Sequence, residues 1–240
     1  MRATDFEFRY RFWIICAIFF LGFQLSRFDH GHVYSRAARW LAGVPRGADY
    51  SVRYAQIAIG VGAVVCLLAA LVRTWAGAYL HSSIIHDISF HSDRLVADGP
   101  FRHMRNPLYL GTVLLAAGMG VLASRLGFVF LVAAMFTFTL RLILREEANL
   151  TVTQGESYRE YCARVPRLLP SIHARVPASG AKPDWWDGFT GEAFMWGCAV
   201  GVTILAVTRN DRWFWTFLGA GFLILALQGI FQRRRMAVPI

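Results

Sequence analysis

Apolar residues in this chain gather in long unbroken runs instead of alternating with polar ones. Tyr54–Val72 is uncharged over 19 residues, Pro107–Ser124 over 18 and Trp213–Gln232 over 20. A helix rises about 1.5 Å per residue, so about 20 apolar residues cross the ~30 Å hydrocarbon layer of a bilayer. Three more runs are shorter or carry one charge near an end: Phe12–Ser26, Leu126–Leu144 with Arg141 inside it, and Ala193–Thr208. Only structures that satisfy their own backbone hydrogen bonds can span lipid, so the pattern predicts an all-α polytopic bundle of about six transmembrane helices. The first and fifth runs are short enough to suit re-entrant or interfacial segments as well.

Composition points the same way. Apolar residues make up 56%, aromatics 15% and charged residues only 17%, which is too apolar for a soluble globule of this size. The net charge of +10 comes almost wholly from arginine, since Lys182 is the single lysine. A basic chain can indicate nucleic-acid binding, but here the charges sit in short stretches beside apolar runs, the arrangement that sets membrane orientation. With a cytoplasmic N-terminus, six spans place about 17 of the basic residues inside and about 8 outside. The exception is the loop carrying Arg27, Arg36, Arg39, Arg46 and Arg53, part of which, Val33 to Val44, reads as an amphipathic segment on the bilayer surface. The first run has no small-residue cleavage site and more spans follow it, so it reads as a span and not as a signal peptide. Cys16, Cys66, Cys162 and Cys198 are scattered with no CxxC pair, and suit packing positions better than disulfides or zinc ligands.

Two polar segments interrupt the pattern, Trp75 to Asn106 and Arg145 to Asp187. Six spans bring both out on one side, where they can build one pocket. Gly99-Pro100 is a turn signal. Asn106 reads as an N-cap and Pro107 as the first residue of the third span, whose open amide end would attract an anion. The fourth span continues past the membrane through Arg141, Arg145, Glu146 and Glu147. Gly155 ends that helix, a short amphipathic helix runs from Glu156 to Arg164, and Val165-Pro166 stops it. Ala174 to Asp184 reads as a linker. The chain thus divides into an N-terminal pair of spans (1–75), a central unit (76–175), and a linker with two last spans (176–240). Gly197, Gly201 and Gly219 offer small surfaces by which those spans could complete a tunnel or pair protomers into a homo-oligomer.

Several residues could carry chemistry, and each has a plainer role too. Arg141 lies within an apolar stretch, where a charge costs about 2.5 kcal/mol or more unless it snorkels or finds a partner. It shares a helix face with Arg145, a repulsive pair that makes sense opposite an anion or at lipid headgroups. Glu146 and Glu147 point about 100° apart, so one of them, Glu146 by preference, faces a ligand. Tyr109 suits an interfacial belt as well as a site, and Arg102 and Arg105 suit topology or lipid phosphate. His81, His86, His91 and His103 lack the spacing and carboxylate support of a metal site.

The ordered series Gly99-Pro100-Phe101, Arg105-Asn106-Pro107-Leu108-Tyr109-Leu110-Gly111, Arg145-Glu146-Glu147, Gly155-Glu156-Ser157-Tyr158 and Arg164-Val165-Pro166 resembles the signature of the isoprenylcysteine carboxyl methyltransferase and phospholipid methyltransferase superfamily. The resemblance covers roughly residues 73–172. It implies a pocket for S-adenosylmethionine at the cytosolic membrane face, lined by Arg94, Leu95, Val96, Phe101, Asn106, Pro107, Leu108, Tyr109 and Glu146, with His86 near an upstream contact and Arg105 beside it. The family's usual histidine before the proline is Asn106 here. Its eukaryotic substrate-gripping arginine falls near Leu142, leaving Arg141 or Arg145 to hold the acceptor. Glu146 can accept from the cofactor's ribose or ammonium, and aromatic rings can face its adenine or sulfonium. Methyl transfer is a direct displacement, so alignment in a dry site is most of what the protein supplies, and no metal is needed. The implied activity is carboxyl O-methylation of an isoprenylcysteine-like lipid. The alternatives are N-methylation of an aminophospholipid, with Glu147 or water as base, or a non-enzymatic scaffold or transporter. Partners are then a lipid-like or prenylated acceptor and membrane lipid, not nucleic acid.

Overall fold

A computed structural model describes the backbone of residues 2–45, 48–87 and 97–236 and, within these, the side chains of all but 81–87, 225–226 and 228–236. All its regular elements are helical, with a single isolated β-bridge between His32 and Ser124 among the described residues. In chain order they are α1 (Asp5–Arg9), α2 (Arg11–Gln24), α3 (Val33–Ala42), α4 (Val52–Asp87), α5 (Pro107–Gly120), α6 (Arg125–Arg164), α7 (Trp185–Gly191), α8 (Ala193–Thr208) and α9 (Asp211–Met236). Short 3-10 turns lie at Leu25–Arg27 and Gly99–Arg102.

By length and composition, two helices among the described residues can cross a membrane, Val52–Leu80 within α4 and Arg125–Arg164, and the α7–α8 pair makes a third if its 66° bend is one broken span. The six expected spans are therefore met in part. The first and third runs form α2 and α5, each of 14 residues, while the fifth coincides with α8. The polar segment expected from Trp75 begins later, because α4 runs on to Asp87. The amphipathic segment at 33–44 forms α3, closed at Gly43 in the left-handed conformation.

α4 is the central post: α5, α7 and α8 pack along it, α9 packs on α8, and α6 joins α5 to α2. The interior holds Ile59, Ala63, Cys66, Leu115, Cys198 and Val202 on one side of α5 and Ile18, Leu131, Met135, Phe138 and Leu142 on the other. Small residues set the spacing. A Cβ on Gly118 would meet Gly62 O at 2.8 Å and the Cys66 amide at 2.9 Å, so α4 and α5 touch backbone to backbone. Gly197 and Gly201 are likewise used within the chain, against Phe217 O and Phe214 O of α9, while Gly219 faces open space.

Two ends result. At one, the α5–α6 turn is pinned to the start of α3: the Val33 and Tyr34 amides donate to Ala123 O and Val121 O, and His32 Nδ1 lies 2.9 Å from Leu122 O. At the other, the C-terminal half of α4, the start of α5, the far half of α6 and the N-terminal residues come together. α6 breaks there at Gly155 (φ 61°, ψ −129°), as expected. Nothing lies within 4 Å of a Cβ built on it, so the demand for glycine is conformational, not steric. Glu156–Arg164 turns away and stops at Val165, extended before Pro166.

Candidate active site

The first polar segment is zipped to the second. The Arg105 amide donates to Pro166 O at 2.9 Å, Ser171 N to His103 O at 3.0 Å and Arg175 N to Arg102 O at 2.8 Å. Side chains lock the seam: Tyr161 OH donates to Phe101 O at 2.7 Å and Arg102 Nε to Val176 O at 2.9 Å. Asp98, buried at 3% exposure, accepts from the Ser179 amide and hydroxyl and the Ala181 amide. Burial alone would raise its carboxyl; those donors and the nearby Arg102 outweigh it and hold the group below the usual range. The linker expected over Ala174–Asp184 is thus irregular but tied down.

Glu146 and Glu147 diverge as their helical spacing requires. Glu147 is 8% exposed and lies in a cation cluster. Arg105 Nη1 is 3.0 Å from its Oε1, Arg167 Nε 3.0 Å from its Oε2, and Asn106 Nδ2 donates to Oε1 at 3.2 Å. Asn106 does not cap α5: its side chain makes no bond to the helix amides and reaches instead for Glu147 and Arg167 O. Its Nδ2 donates to two acceptors, a carboxylate and a carbonyl, and that orientation turns the amide away from the helix N–H groups. Pro107 does open α5. Glu146 is half-buried and accepts from Tyr109 OH at 2.7 Å through Oε1 alone.

Arg73 is a site residue that the sequence did not signal. It grips Glu192 bidentately (Nε–Oε2 2.6 Å, Nη2–Oε1 2.8 Å) and donates through Nη1 to Leu108 O and Thr112 Oγ1. It ties the first turn of α5 to the α7–α8 bend. Arg73 merely follows an apolar run in sequence and Glu192 sits 119 positions away, so only their tertiary meeting reveals the pair.

Phe101, Arg105, Asn106, Pro107, Leu108, Tyr109, Glu146 and Glu147 are therefore gathered at one end of α5 and α6. Arg141 and Arg145 are turned to the N-terminal residues, with Glu7 and Asp5 as partners. Leu142, between them, is fully buried. The side chain of His86, and Arg94, Leu95 and Val96 altogether, lie outside the described residues. A cleft of about 410 Å³ opens between Ala97, Ser157, Glu160, Tyr161, Arg164 and residues 176–179; it adjoins the zipped seam and none of the residues expected to hold a cofactor lines it.

Residues 56–155 match the phospholipid methyltransferase family model, a span that takes in the Phe101–Tyr109 segment, Arg141–Glu147 and Gly155. Over that stretch, 100 of its 240 residues, the chain resembles the phospholipid methyltransferase family. Among similar proteins, a probable protein-S-isoprenylcysteine O-methyltransferase of Oryza sativa subsp. indica is 31% identical over 116 residues, covering 47% of this chain and 61% of the relative. Its counterpart from subsp. japonica matches equally. The cobalt-zinc-cadmium resistance protein CzcN of Cupriavidus metallidurans is 25% identical over 105 residues, 44% of this chain and 45% of that protein. The chain thus spans between 45% and 61% of the length of these curated relatives. No solved structure matches.

The residues present suit the charged parts of S-adenosylmethionine, the methyl donor that the resemblance implies. Among the described residues Glu146 Oε2 has no hydrogen-bond partner, which suits an ammonium or ribose hydroxyls, and the buried Nε of Arg105 has no acceptor. A buried donor left without an acceptor is costly unless a ligand or water satisfies it.

Proposed function

We propose that this membrane protein transfers a methyl group from S-adenosylmethionine to the carboxylate of an isoprenylcysteine-like lipid, at the end of the bundle where α5 begins and α6 emerges. The reading is supported by the zipping of residues 97–106 onto 161–181 around the Tyr109–Glu146 and Arg105–Glu147 contacts. Bound there, the donor supplies an electrophilic methyl on a sulfonium. Glu146 and Tyr109 would hold its ammonium or ribose and Arg105 its carboxylate, while Phe101 and Pro107 exclude water. Such preorganisation is most of what a direct displacement requires. The active site would face the cytoplasm, following the arginine distribution.

Glu147 favours a carboxylate acceptor over an amine. An amine must lose a proton before it attacks, and both Glu147 oxygens are already taken by Arg105, Asn106 and Arg167. A carboxylate oxygen needs no base. The deciding experiment offers the detergent-solubilised protein tritiated donor together with either an S-farnesylcysteine or phosphatidylethanolamine. Label in the farnesylcysteine ester is the expected result, and label only in the aminophospholipid would reverse the acceptor. Absence of donor binding by calorimetry would return the chain to the scaffold or transporter class.

A further inference from the structure

Arg141 and Arg145 stand one turn apart where α6 leaves its apolar stretch, and the chain's own N-terminal residues neutralise them. Arg141 Nη2 donates to Glu7 Oε2 at 2.7 Å; Arg145 donates to Asp5 Oδ1 and to Ala3 O, and its guanidinium covers the Phe8 ring at 4.9 Å. The Ala3 amide donates to Arg141 O at 3.1 Å.

These partners fit the arginines poorly. Glu7 offers Arg141 one oxygen, and that same Oε2 also accepts from the Thr4 amide in the capping box of α1. The buried Nε of Arg141 is left with no acceptor, although a guanidinium matches a carboxylate best through Nε and an Nη together. The Asp5 side chain is 98% exposed, and an ion pair that open to water contributes little. α1 has no buried residue of its own; Ala3 is the one buried residue of this segment in the core cluster that holds Leu142, and Phe8 packs against that cluster only partly buried. Below the arginines lies apolar packing between α2 and α6, built on Ile18, Met135 and Phe138. On the outer surface of these helices Trp13, Phe20 and Phe136 are exposed to what is the lipid side of a membrane-spanning chain. A charged pair at the membrane boundary above apolar flanks has the chemistry for an amphiphile with an anionic head.

We infer that α1 is a displaceable internal occupant of the acceptor's head-group site: Glu7 and Asp5 hold Arg141 and Arg145 until a lipid-borne carboxylate replaces them. This rests on the acceptor reading above, with Arg141 and Arg145 as its anion grip. It adds that the N-terminal helix competes with the acceptor and so sets which head groups gain entry. A lipid carboxylate supplies two oxygens to Arg141, including its unmatched Nε. An uncharged ester cannot displace Glu7.

The test uses the full chain in nanodiscs of neutral lipid and follows amide hydrogen exchange in residues 3–9. N-acetyl-S-farnesylcysteine should raise exchange there, and its methyl ester should not; a farnesyl phosphate arm shows whether phosphate shares the site. Unchanged exchange with the acid, or an equal response to acid and ester, overturns the inference. Glu7→Gln should tighten binding of the acid by about fivefold, the scale on which a partly exposed ion pair competes, whereas weaker binding would mean that Glu7 only supports the fold. Parallel methyl-transfer assays separate the two claims. Displacement of α1 without methylation sinks the acceptor reading and leaves the head-group site; methylation with α1 undisturbed does the reverse.

Discussion

Removing the Glu147 carboxylate isolates Arg105. The Arg105 side chain is 12% exposed, its Nε already lacks an acceptor, and beyond Glu147 its guanidinium has, among the described residues, only Cys162 Sγ at 2.9 Å. Breaking a buried pair from one side costs about 3–5 kcal/mol, because the remaining charge stays desolvated. The second arginine adds little: Arg167 is 44% exposed, and such pairs contribute at most about 1 kcal/mol. Glu147→Ala should therefore destabilise by about 3–4 kcal/mol, with Asn106 also losing its acceptor. At about 2–4 °C per kcal/mol for a chain of this size, the loss is about 6–16 °C in Tm, read by tryptophan fluorescence in one fixed detergent. The double variant Arg105→Met, Glu147→Leu removes both charges and should recover most of it, since well-packed apolar replacements of buried pairs are near neutral. The cycle gives the coupling directly. A Glu147→Ala variant within about 1 kcal/mol of the parent, or a double variant as unstable as the single one, would refute the picture of a buried carboxylate holding the seam.

Further expectations follow from other contacts. Gly155→Ala forces a Cβ residue into φ 61°, ψ −129°, a region nearly reserved for glycine, and should cost about 1–3 kcal/mol in the same thermal assay; a neutral result would mean that the helix straightens there. Tyr109→Phe removes the 2.7 Å bond to Glu146 and should weaken donor binding about tenfold by calorimetry, on the scale of a hydrogen bond to a charged group, while leaving Tm within a few degrees. The Arg141 side chain and the Thr4 amide hold the Glu7 carboxyl down, to about 2. Because its folded value lies below the ordinary carboxylate range, its stabilisation of α1 is full above pH ~4.5 and lost as pH falls toward 2. Pepsin cleavage near Phe6 and Phe8, normalised to a free peptide of that sequence, should accelerate across that window, and a flat ratio would count against the Glu7–Arg141 bond.

Much of this was written in local sequence. α8 keeps the bounds of its apolar run, Gly155 and Val165-Pro166 break and end α6 where turn chemistry demands, and the angular offset of Glu146 from Glu147 sends one to Tyr109 and the other to Arg105. The partners of those groups were less legible. Asn106 looked like a cap because capping is a local rule, and a carboxylate 41 positions away overrode it. Arg141 and Arg145 looked like free anion hooks because nothing local marks Asp5 and Glu7 as their counter-charges. Arg73 was hidden among topology-setting arginines, since its role exists only once α4, α5 and α8 meet. Periodicity reports which face is buried; it does not report which distant charge lies opposite.

Arg73 carries one more implication. Its guanidinium grips Glu192 at the bend leading into α8 while holding the carbonyl of Leu108, next to Tyr109. A stiff bidentate link of this kind transmits displacement: if a thicker or thinner bilayer changes the tilt of α8, the strain arrives at the first turn of α5. The C-terminal helices would then act as a lever by which acyl-chain length in the surrounding lipid reaches the geometry around Tyr109 and Glu146.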